Sequence, residues 1–465
     1  MSHTHTLEQV ALAAGAVTPA PRQLAWQELE FNAFFHFGVN TFTDREWGLG
    51  TEPEAVFNPT ALDAGQWAQT CRDAGIRMLI LTAKHHDGFC LWPSRYTEHS
   101  VKNSPWKDGK GDVVRELSDA CKAEGIRMGV YLSPWDRHEK TYGDSPKYND
   151  HFVNQLTDLL TNYGPIAEVW FDGACGEGPN GKKQVYDWPR FHETVHKLQP
   201  EAVIFSDAGP GVRWIGNEAG TAGDPCWAMM DPATVPQPGV GGDDVINALQ
   251  HGYENGTVWR PGECDVSIRP GWFYHPKEDD KVRSVDNLVD LYFKSVGRNA
   301  LLLLNVPPNR EGLLSDPDVK ALTAFRAELD RIFAKDLAAG KKATADNTRG
   351  GSPAFAPDKV LDGDMKTYWA TNDGVTSAWI AVDLGAPTEF NVACMREAIV
   401  LGQRVKAYRI EVADDAGNWK TISKGTTIGH KKLDAFDAVK ASKVRLIIED
   451  ARACPTIYEF SLYRK

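Results

Sequence analysis

The chain has 465 residues, enough for two or three domains, and its 42% hydrophobic and 25% charged residues are typical of a globular protein. Its net charge of −12 argues against nucleic acid or an anionic membrane surface as partner, because both attract clustered Lys and Arg. No apolar run approaches the about 18 residues of a transmembrane helix. Residues 1–17 lack the basic and continuous apolar regions of a signal peptide. We therefore expect a cytoplasmic protein, either a monomer or a small homo-oligomer.

Cysteine and tryptophan usage narrows the class further. The eight cysteines are scattered, without a Cys-x-x-Cys pair or zinc-like spacing, and are better interpreted as reduced core residues than as a disulfide framework. Fifteen tryptophans make the chain unusually rich in indole. Flat aromatic faces pack well on sugar rings, but large β-rich cores also use many tryptophans. The tryptophan count alone leaves both interpretations open.

An internal repeat indicates how the first part of the chain is built. The segment from Cys71 to Met78 recurs between Cys121 and Met128. Each copy ends an amphipathic helix at a glycine and then enters an apolar strand. A helix that ends at glycine and feeds a strand is the repeating unit of a parallel barrel or a doubly wound sheet.

Further strand candidates follow at similar intervals and bring the count close to eight. No Gly-rich phosphate loop follows the first of them, which disfavours a doubly wound sheet. The pattern therefore predicts an α/β fold with a TIM-type (β/α)8-like barrel. The candidates span residues 32–37, 78–82, 128–132, 166–171, 202–206, 264–268 and 300–306, with one less regular segment near Trp227.

The pattern changes near residues 332–340. Beyond them the helical periodicity fades, and short alternating strands at 379–384, 408–412 and 443–448 are separated by turn signals. Such a pattern is typical of a β-sandwich. We therefore expect a catalytic barrel over residues 1–335 and a β-sandwich over residues 336–465.

Polar and aromatic side chains gather where the predicted barrel strands end. The buried-strand candidate at 166–171 ends in Asp172 followed by Gly173. Asp-Gly by itself is an ordinary turn, but barrels place catalytic groups at the C-terminal ends of their strands. Other predicted strands and their loops contribute similar groups, which indicates a pocket. These are His36, Glu46, Trp47, His85, His86, Tyr131, Trp135, Trp214, Glu218, Arg269 and Trp272.

Together these residues resemble the α-L-fucosidases of glycoside hydrolase family 29. The resemblance is carried by His36, Glu46-Trp47, His85-His86 and Trp170-Phe-Asp-Gly173, in this order. Residues 264–274 and 302–308 resemble, in particular, the branch selective for α-1,3/1,4-linked fucose. Residues from Asn347 onward are similar to the galactose-binding-like (discoidin, F5/8C-type) β-sandwich found in that branch.

The resemblance implies a retaining exo-α-L-fucosidase that needs neither a cofactor nor a catalytic metal. Its substrate would be terminal α-1,3/1,4-linked fucose on a branched, Lewis-type oligosaccharide or glycoconjugate. By the resemblance, Asp172 is the nucleophile that forms a covalent fucosyl-enzyme, and Glu218, on a loop after the fifth predicted strand, is the acid/base. The implied or predicted substrate contacts are His36, Glu46, Trp47, His85, His86, Tyr131, Trp135, Trp214, Arg269 and Trp272.

Elementary chemistry agrees with this pair of roles. Retaining hydrolysis needs two carboxyl groups about 5–5.5 Å apart, one ionised and the other protonated near neutral pH. A strand-end aspartate such as Asp172 is rigid, as a nucleophile should be. An apolar wall at Trp214 could raise the pKa of Glu218, as a general acid requires.

Individual residues also have alternative interpretations. The His85-His86-Asp87 cluster suits zinc or iron, although successive strand-end side chains should point in opposite directions and leave one histidine for any given metal. Glu46-Trp47 could be a packing cluster. Arg269 could equally contact substrate or pin a loop.

Other functions therefore stay open beside the selective fucosidase. They are a broad-specificity fucosidase or transfucosidase, a metal-dependent barrel hydrolase and a non-catalytic carbohydrate-binding protein. The paired Asp172 and Glu218 argue against the last of these.

Overall fold

A computed structural model describes residues 17–414 and 416–465 of the chain. Residues 1–16, on which the expectation of no signal peptide rests, lie outside it. The first ten strands are β1 Phe31–Phe35, β2 Met78–Lys84, β3 Arg127–Leu132, β4 Glu168–Trp170, β5 Val203–Ser206, β6 Val212–Trp214, β7 Met229–Met230, β8 Val258–Trp259, β9 Gly262–Ser267 and β10 Leu301–Asn305. Eight of them close a parallel barrel in the order β1-β10-β9-β6-β5-β4-β3-β2. The predicted TIM-type barrel is confirmed.

The sixth barrel strand differs from the sequence-based expectation. It is β6, which pairs in parallel with β5 and β9 through Phe205–Val212 and Arg213–Gly262. The segment near Trp227 instead leads into β7, which pairs antiparallel with β8 outside the barrel. A strand of three residues is too short to show periodicity, so the sequence of residues 211–219 predicts a single loop.

The α-helices alternate with the strands and cover the barrel. Two of them confirm the internal repeat: Asp63 and Asp112 accept hydrogen bonds from Gln66 N and Arg115 N and so cap the helices that enter β2 and β3. The helices span Pro21–Gln27, Val39–Thr43, Ala64–Asp73, Val113–Glu124, Ser145–Asn162, Trp188–Leu198, Asp243–His251, Val285–Lys294 and Asp316–Ile332. Short 3-10 turns span Glu54–Val56, Val101–Asn103, Trp106–Gly109, Pro276–Lys281, Arg349–Gly351, Pro353–Phe355, Pro357–Leu361 and Ile399–Leu401. Among the described residues, none of these helices combines the length and apolar character needed to cross a bilayer.

The barrel interior is filled with large side chains. Trp170 stacks on Phe205 with ring centroids 3.8 Å apart, and Tyr131 stacks on the same indole at 5.4 Å. Two buried carboxyls share the interior: Glu168 accepts a hydrogen bond from the Trp26 indole and Glu263 one from the Trp170 indole. The barrel interior is therefore a packed core and not a channel.

The C-terminal part is an antiparallel β structure with its own core. Its strands are β11 Lys342–Ala345, β12 Trp369–Ala370, β13 Ala378–Glu397, β14 Val405–Ala413, β15 Trp419–Gly425, β16 Lys432–Ala451 and β17 Thr456–Tyr463. They pair in the order β12-β17-β13-β16-β14-β15, with β11 on β13, and register shifts mark bulges in the long strands β13 and β16. The predicted strands at 379–384, 408–412 and 443–448 lie within β13, β14 and β16.

The two parts are joined by ion pairs below the barrel. Glu30, directly before β1, pairs with Arg396 at 2.8 Å and with Lys431. These cations and a hydrogen bond from His430 overcome the effect of burial and hold the pKa of Glu30 well below its usual value. All eight cysteines are free thiols, seven of them buried, as the sequence predicts.

Candidate active site

A small cavity opens at the C-terminal ends of the barrel strands. Its volume of about 140 Å³ is below the roughly 300–1,000 Å³ of pockets for drug-sized ligands, and is suited to a single sugar ring. A larger groove of about 630 Å³ lies at the opposite end, near Met128 and Ile166, but no histidine is among the residues that line it. The cavity is lined by Phe34, His36, Glu46, Trp47, His85, His86, Tyr131, Trp170, Asp172, Ala174, Glu218, Asp265 and Trp272.

Asp172 lies two residues beyond β4, and both of its carboxylate oxygens are held. The Tyr131 hydroxyl donates to Oδ2 over 3.0 Å, and the Ala174 amide donates to Oδ1 over 2.7 Å. His86 Nε2 lies 3.7 Å from Oδ2. With 26% of its side chain exposed, Asp172 is oriented by the fold and still reachable from the cavity.

Glu218 lies on the loop after β6, which corrects the expectation that this loop follows the fifth strand. The Trp272 indole donates to its Oε2 over 3.2 Å. Burial raises the pKa of Glu218, and the negative charges of Asp172 and Glu46 raise it further, against the effect of the Trp272 hydrogen bond. Its environment therefore favours a protonated carboxyl, whereas the Asp172 carboxylate accepts two hydrogen bonds that fix its orientation.

His85 and His86 both line the cavity, with ring centroids 4.1 Å apart. The expectation that they point in opposite directions is wrong, because β2 ends at Lys84 and the chain turns at once. The turn is closed by a hydrogen bond from Gly88 N to His85 O, with Gly88 at φ +81°. The alternation of an extended strand therefore does not apply at these positions.

The histidines of the cavity are neutral. Burial lowers the pKa of His36 to about 4, holds that of His85 well below its usual value, and lowers that of His86. His36 Nδ1 donates to Asn305 Oδ1 over 2.8 Å. Its Nε2 is left as a hydrogen-bond acceptor, as a sugar hydroxyl requires.

Glu46 and Trp272 connect two loops at the cavity mouth. The Glu46 carboxylate accepts hydrogen bonds from Trp272 N at 2.8 Å and Phe273 N at 3.2 Å. Trp47 is 57% exposed and packs edge-on against His86 and Trp135. Both residues also line the cavity.

Three predicted contact residues lie outside the cavity lining. Arg269 is buried, and its Nε donates to both carboxylate oxygens of Asp318 over 2.9 Å, which favours the alternative that it pins a loop. The Trp214 indole donates to Asp265 over 2.9 Å. The Trp135 indole packs against His86, with ring centroids 4.8 Å apart, and against Trp47, with ring centroids 5.5 Å apart.

Asp265, in β9, was missed by the sequence analysis. Burial raises its pKa well above the usual value, and Glu218 and Glu263 add to this effect. In sequence Asp265 stands inside a buried strand, where alternation alone does not separate a cavity-facing carboxyl from a core position. The only available signal was the alternation of Glu263, Asp265 and Ser267 along β9, which puts the three polar side chains on one face of the strand.

The described side chains also bear on the metal interpretation. Across residues 17–414 and 416–465, no three His, Cys, Asp or Glu side chains converge as ligands of one ion. His85 Nδ1 lies 4.0 Å from Asp87 Oδ2, and the Asp87 carboxylate accepts from Asn40 Nδ2 and Phe89 N. Asp87 is thus held by these two donors, and His85 Nδ1 lies too far from it for a hydrogen bond.

Comparison with known proteins shows which family this chain resembles. The family model Alpha-L-fucosidase matches residues 18–329, and the F5/8 type C domain matches residues 342–460. A putative alpha-L-fucosidase 1 of Oryza sativa is 48% identical over 96% of this chain and 84% of its own length. Alpha-L-fucosidase 1 of Arabidopsis thaliana is 45% identical over 96% of this chain and 87% of its own length.

Solved structures agree with the sequence relatives. A Ruminococcus gnavus GH29 fucosidase in complex with fucose superposes with a TM-score of 0.88 at 35% identity, covering 97% of this chain and 95% of its own. The family match spans the barrel that carries the cavity, and the second match spans the β-sandwich. This chain belongs to the α-L-fucosidase family of glycoside hydrolases, family 29, and its activity is that of an α-L-fucosidase.

Proposed function

We propose that this α-L-fucosidase is a retaining exo-enzyme that releases terminal α-1,3/1,4-linked fucose from branched, Lewis-type oligosaccharides through a covalent fucosyl-Asp172 intermediate. The observation that carries the proposal is the contrast between two carboxyls that line one cavity. Asp172 is held by two hydrogen-bond donors. Burial raises the pKa of Glu218, the other carboxyl. A retaining glycosidase needs one ionised and one protonated carboxyl.

The first step transfers the fucosyl group to the enzyme. An Asp172 oxygen attacks the anomeric carbon while the Glu218 carboxyl protonates the glycosidic oxygen, so the bond to the aglycone breaks and the aglycone leaves as an alcohol. In the second step the Glu218 carboxylate takes a proton from water, and the resulting hydroxide displaces Asp172 at the anomeric carbon. Two inversions give a product that retains the α configuration.

Binding of the sugar ring uses the remaining cavity groups. Neutral His36, His85 and His86 offer imidazole nitrogens to hydroxyls without the cost of burying a charge. Phe34 and Trp170 form an apolar floor. A cavity of about 140 Å³ supports an exo mode in which one terminal residue enters.

The preference for branched substrates is supported by the mouth of the cavity. The exposed Trp47 offers an indole face beside the Glu218 loop and Trp272. A branch sugar bound there would help to orient the scissile bond, so its loss should lower the catalytic rate as well as the affinity. Residues 264–274, which resemble the α-1,3/1,4-selective branch, border the same mouth.

Two measurements test the proposal. NMR of the first-formed product should show α-L-fucose; β-L-fucose would exclude retention. Specificity constants for Lewis a trisaccharide and 2′-fucosyllactose, under identical conditions, should differ by roughly 3–5 kcal/mol for two or three sugar hydrogen bonds, a few hundred-fold and upward in favour of Lewis a. Equal constants would favour a broad-specificity fucosidase or transfucosidase and leave the family assignment intact.

A further inference from the structure

His275 joins two loops at the cavity mouth without lining the cavity itself. Its Nδ1 lies 2.6 Å from Asp44 Oδ1, and its Nε2 lies 2.7 Å from Glu46 Oε1. The imidazole is 6% exposed. Asp44 ends the helix Val39–Thr43 in the left-handed conformation, at φ 60°, so the chain turns there and carries Glu46 towards His275.

The two contacts define the charge of His275. Ionised carboxylate oxygens only accept hydrogen bonds, so both ring nitrogens must carry a proton to satisfy them, and the ring is an imidazolium. Burial acts to lower the pKa of His275, but the hydrogen bonds with Asp44 and Glu46 outweigh it and the pKa is raised. The other charged groups at this junction are Lys277 and Arg310, which act on Asp44 together with His275 to lower its pKa, and Glu278, which accepts from Gly271 N.

The Glu46 carboxylate connects His275 to the loop that contacts the proposed proton donor, Glu218. Besides His275 it accepts from Trp272 N, and the Trp272 indole donates to Glu218 over 3.2 Å. The loops approach so closely that a Cβ at Gly271 would lie 2.8 Å from Glu46 Oε1 and from His275 Cδ2. A continuous series of contacts thus runs from Asp44 through His275, Glu46 and Trp272 to Glu218.

We propose that His275 is a positioning residue: as an imidazolium it fixes the Glu46 carboxylate against the Trp272 loop, and through Trp272 it holds the Glu218 carboxyl in position for proton transfer. The inference rests on the proposed function, because it takes Glu218 as the acid/base. His275 is not among the residues that line the cavity.

The test compares His275→Asn with wild type on two aryl α-L-fucosides, one with a strongly acidic phenol and one with a weakly acidic phenol. Only the second needs a well-placed proton donor. We expect kcat/KM for the weakly acidic phenol to fall about 10- to 100-fold, the range for a misplaced catalytic group, and the loss with the acidic phenol to be several-fold smaller. His251→Asn is the matched control, because His251 bonds a single backbone carbonyl, that of Pro225, outside the cavity. The control should leave both values unchanged.

Asp44→Asn provides a second variant that does not alter the cavity lining, and asparagine tolerates the left-handed conformation of this position. It removes one of the two carboxylates that raise the His275 pKa, so the ring should lose its second proton at lower pH. Imidazole ¹⁵N NMR, with His275→Asn used to assign the signal, reads that protonation directly. We expect a doubly protonated ring at pH 7 in the wild type and a lower pKa in Asp44→Asn. Asp44→Asn should also show the same leaving-group-dependent loss.

The outcomes separate this inference from the proposed function. Equal losses on both substrates in both variants, or a singly protonated His275 at pH 7 in the wild type, would overturn the positioning role while Glu218 stays the acid/base. If Glu218→Ala itself shows no leaving-group dependence, the proposed function fails first. If His275→Asn does not fold, the leaving-group dependence of the loss in Asp44→Asn decides the question alone.

Discussion

The Tyr131 hydroxyl donates a 3.0 Å hydrogen bond to Oδ2 of Asp172 across neighbouring barrel strands β3 and β4. Burial and the adjacent Asp172 charge raise the pKa of Tyr131 well above its usual value, so the phenol keeps its proton and acts as a donor. The Ala174 amide holds the other oxygen. The plane of the proposed nucleophile is therefore set by the backbone on one side and by the barrel core on the other.

Tyr131→Phe should reduce kcat by about 10- to 100-fold, since a hydrogen bond to a charged group contributes roughly 1.5–3 kcal/mol. The ring would still stack on Trp170, so the thermal midpoint should change little. Tyr408→Phe is the matched control, because Tyr408 also donates from a buried site to a carboxylate, that of Asp434 in the β-sandwich. Unchanged kcat in Tyr131→Phe would show that this contact does not orient the nucleophile.

Glu218→Ala should separate the two chemical steps. An aryl fucoside with an acidic phenol needs little proton donation and should still form the fucosyl-enzyme, which then lacks a base. Azide should restore turnover by displacing Asp172 from the anomeric carbon, and this second inversion yields α-fucosyl azide. If azide does not rescue Glu218→Ala but rescues a variant of another loop carboxyl, the acid/base role belongs to that other residue.

The pH profile should follow the raised pKa of Glu218. A carboxyl whose pKa is raised in the folded enzyme keeps its proton above its ordinary value of 4.5. The donor form is present at low pH and is lost as pH rises through the raised pKa. With a weakly acidic leaving group, kcat/KM should therefore decline on the alkaline side. The decline should be absent in Glu218→Ala with an acidic leaving group; its persistence there would assign it to another group.

Dialysis against EDTA should leave turnover unchanged, because both proposed catalytic groups are carboxyls and neither step needs a Lewis acid. A change in thermal midpoint without a change in rate would indicate a structural ion in the β-sandwich. Loss of activity that only zinc or iron restores would favour the metal interpretation of His85 and His86.

The elements that the sequence predicts well are those with strong local signals. The repeated helix-glycine-strand unit led to the barrel, and Asp172 after an apolar run pointed to its mouth. Strand β6 was missed because three residues carry no period. The shared orientation of His85 and His86 depends on a turn at Gly88, and the anchoring of Arg269 depends on Asp318, 49 residues further along the chain. Such contacts form only when the barrel closes.

The most direct test of the account is the trapping of the covalent intermediate. The reagent is 2-deoxy-2-fluoro-α-L-fucosyl fluoride, whose fluorine at C2 should slow both chemical steps. Its anomeric fluoride is a good leaving group and lets the first step proceed, so the fluorofucosyl-enzyme accumulates. Peptide mass spectrometry should find one fluorofucosyl group, esterified to Asp172, and Asp172→Ala should bind the reagent without forming an adduct. A label on a different carboxyl, or turnover with inverted configuration and no adduct, would contradict the assignment of Asp172 as nucleophile.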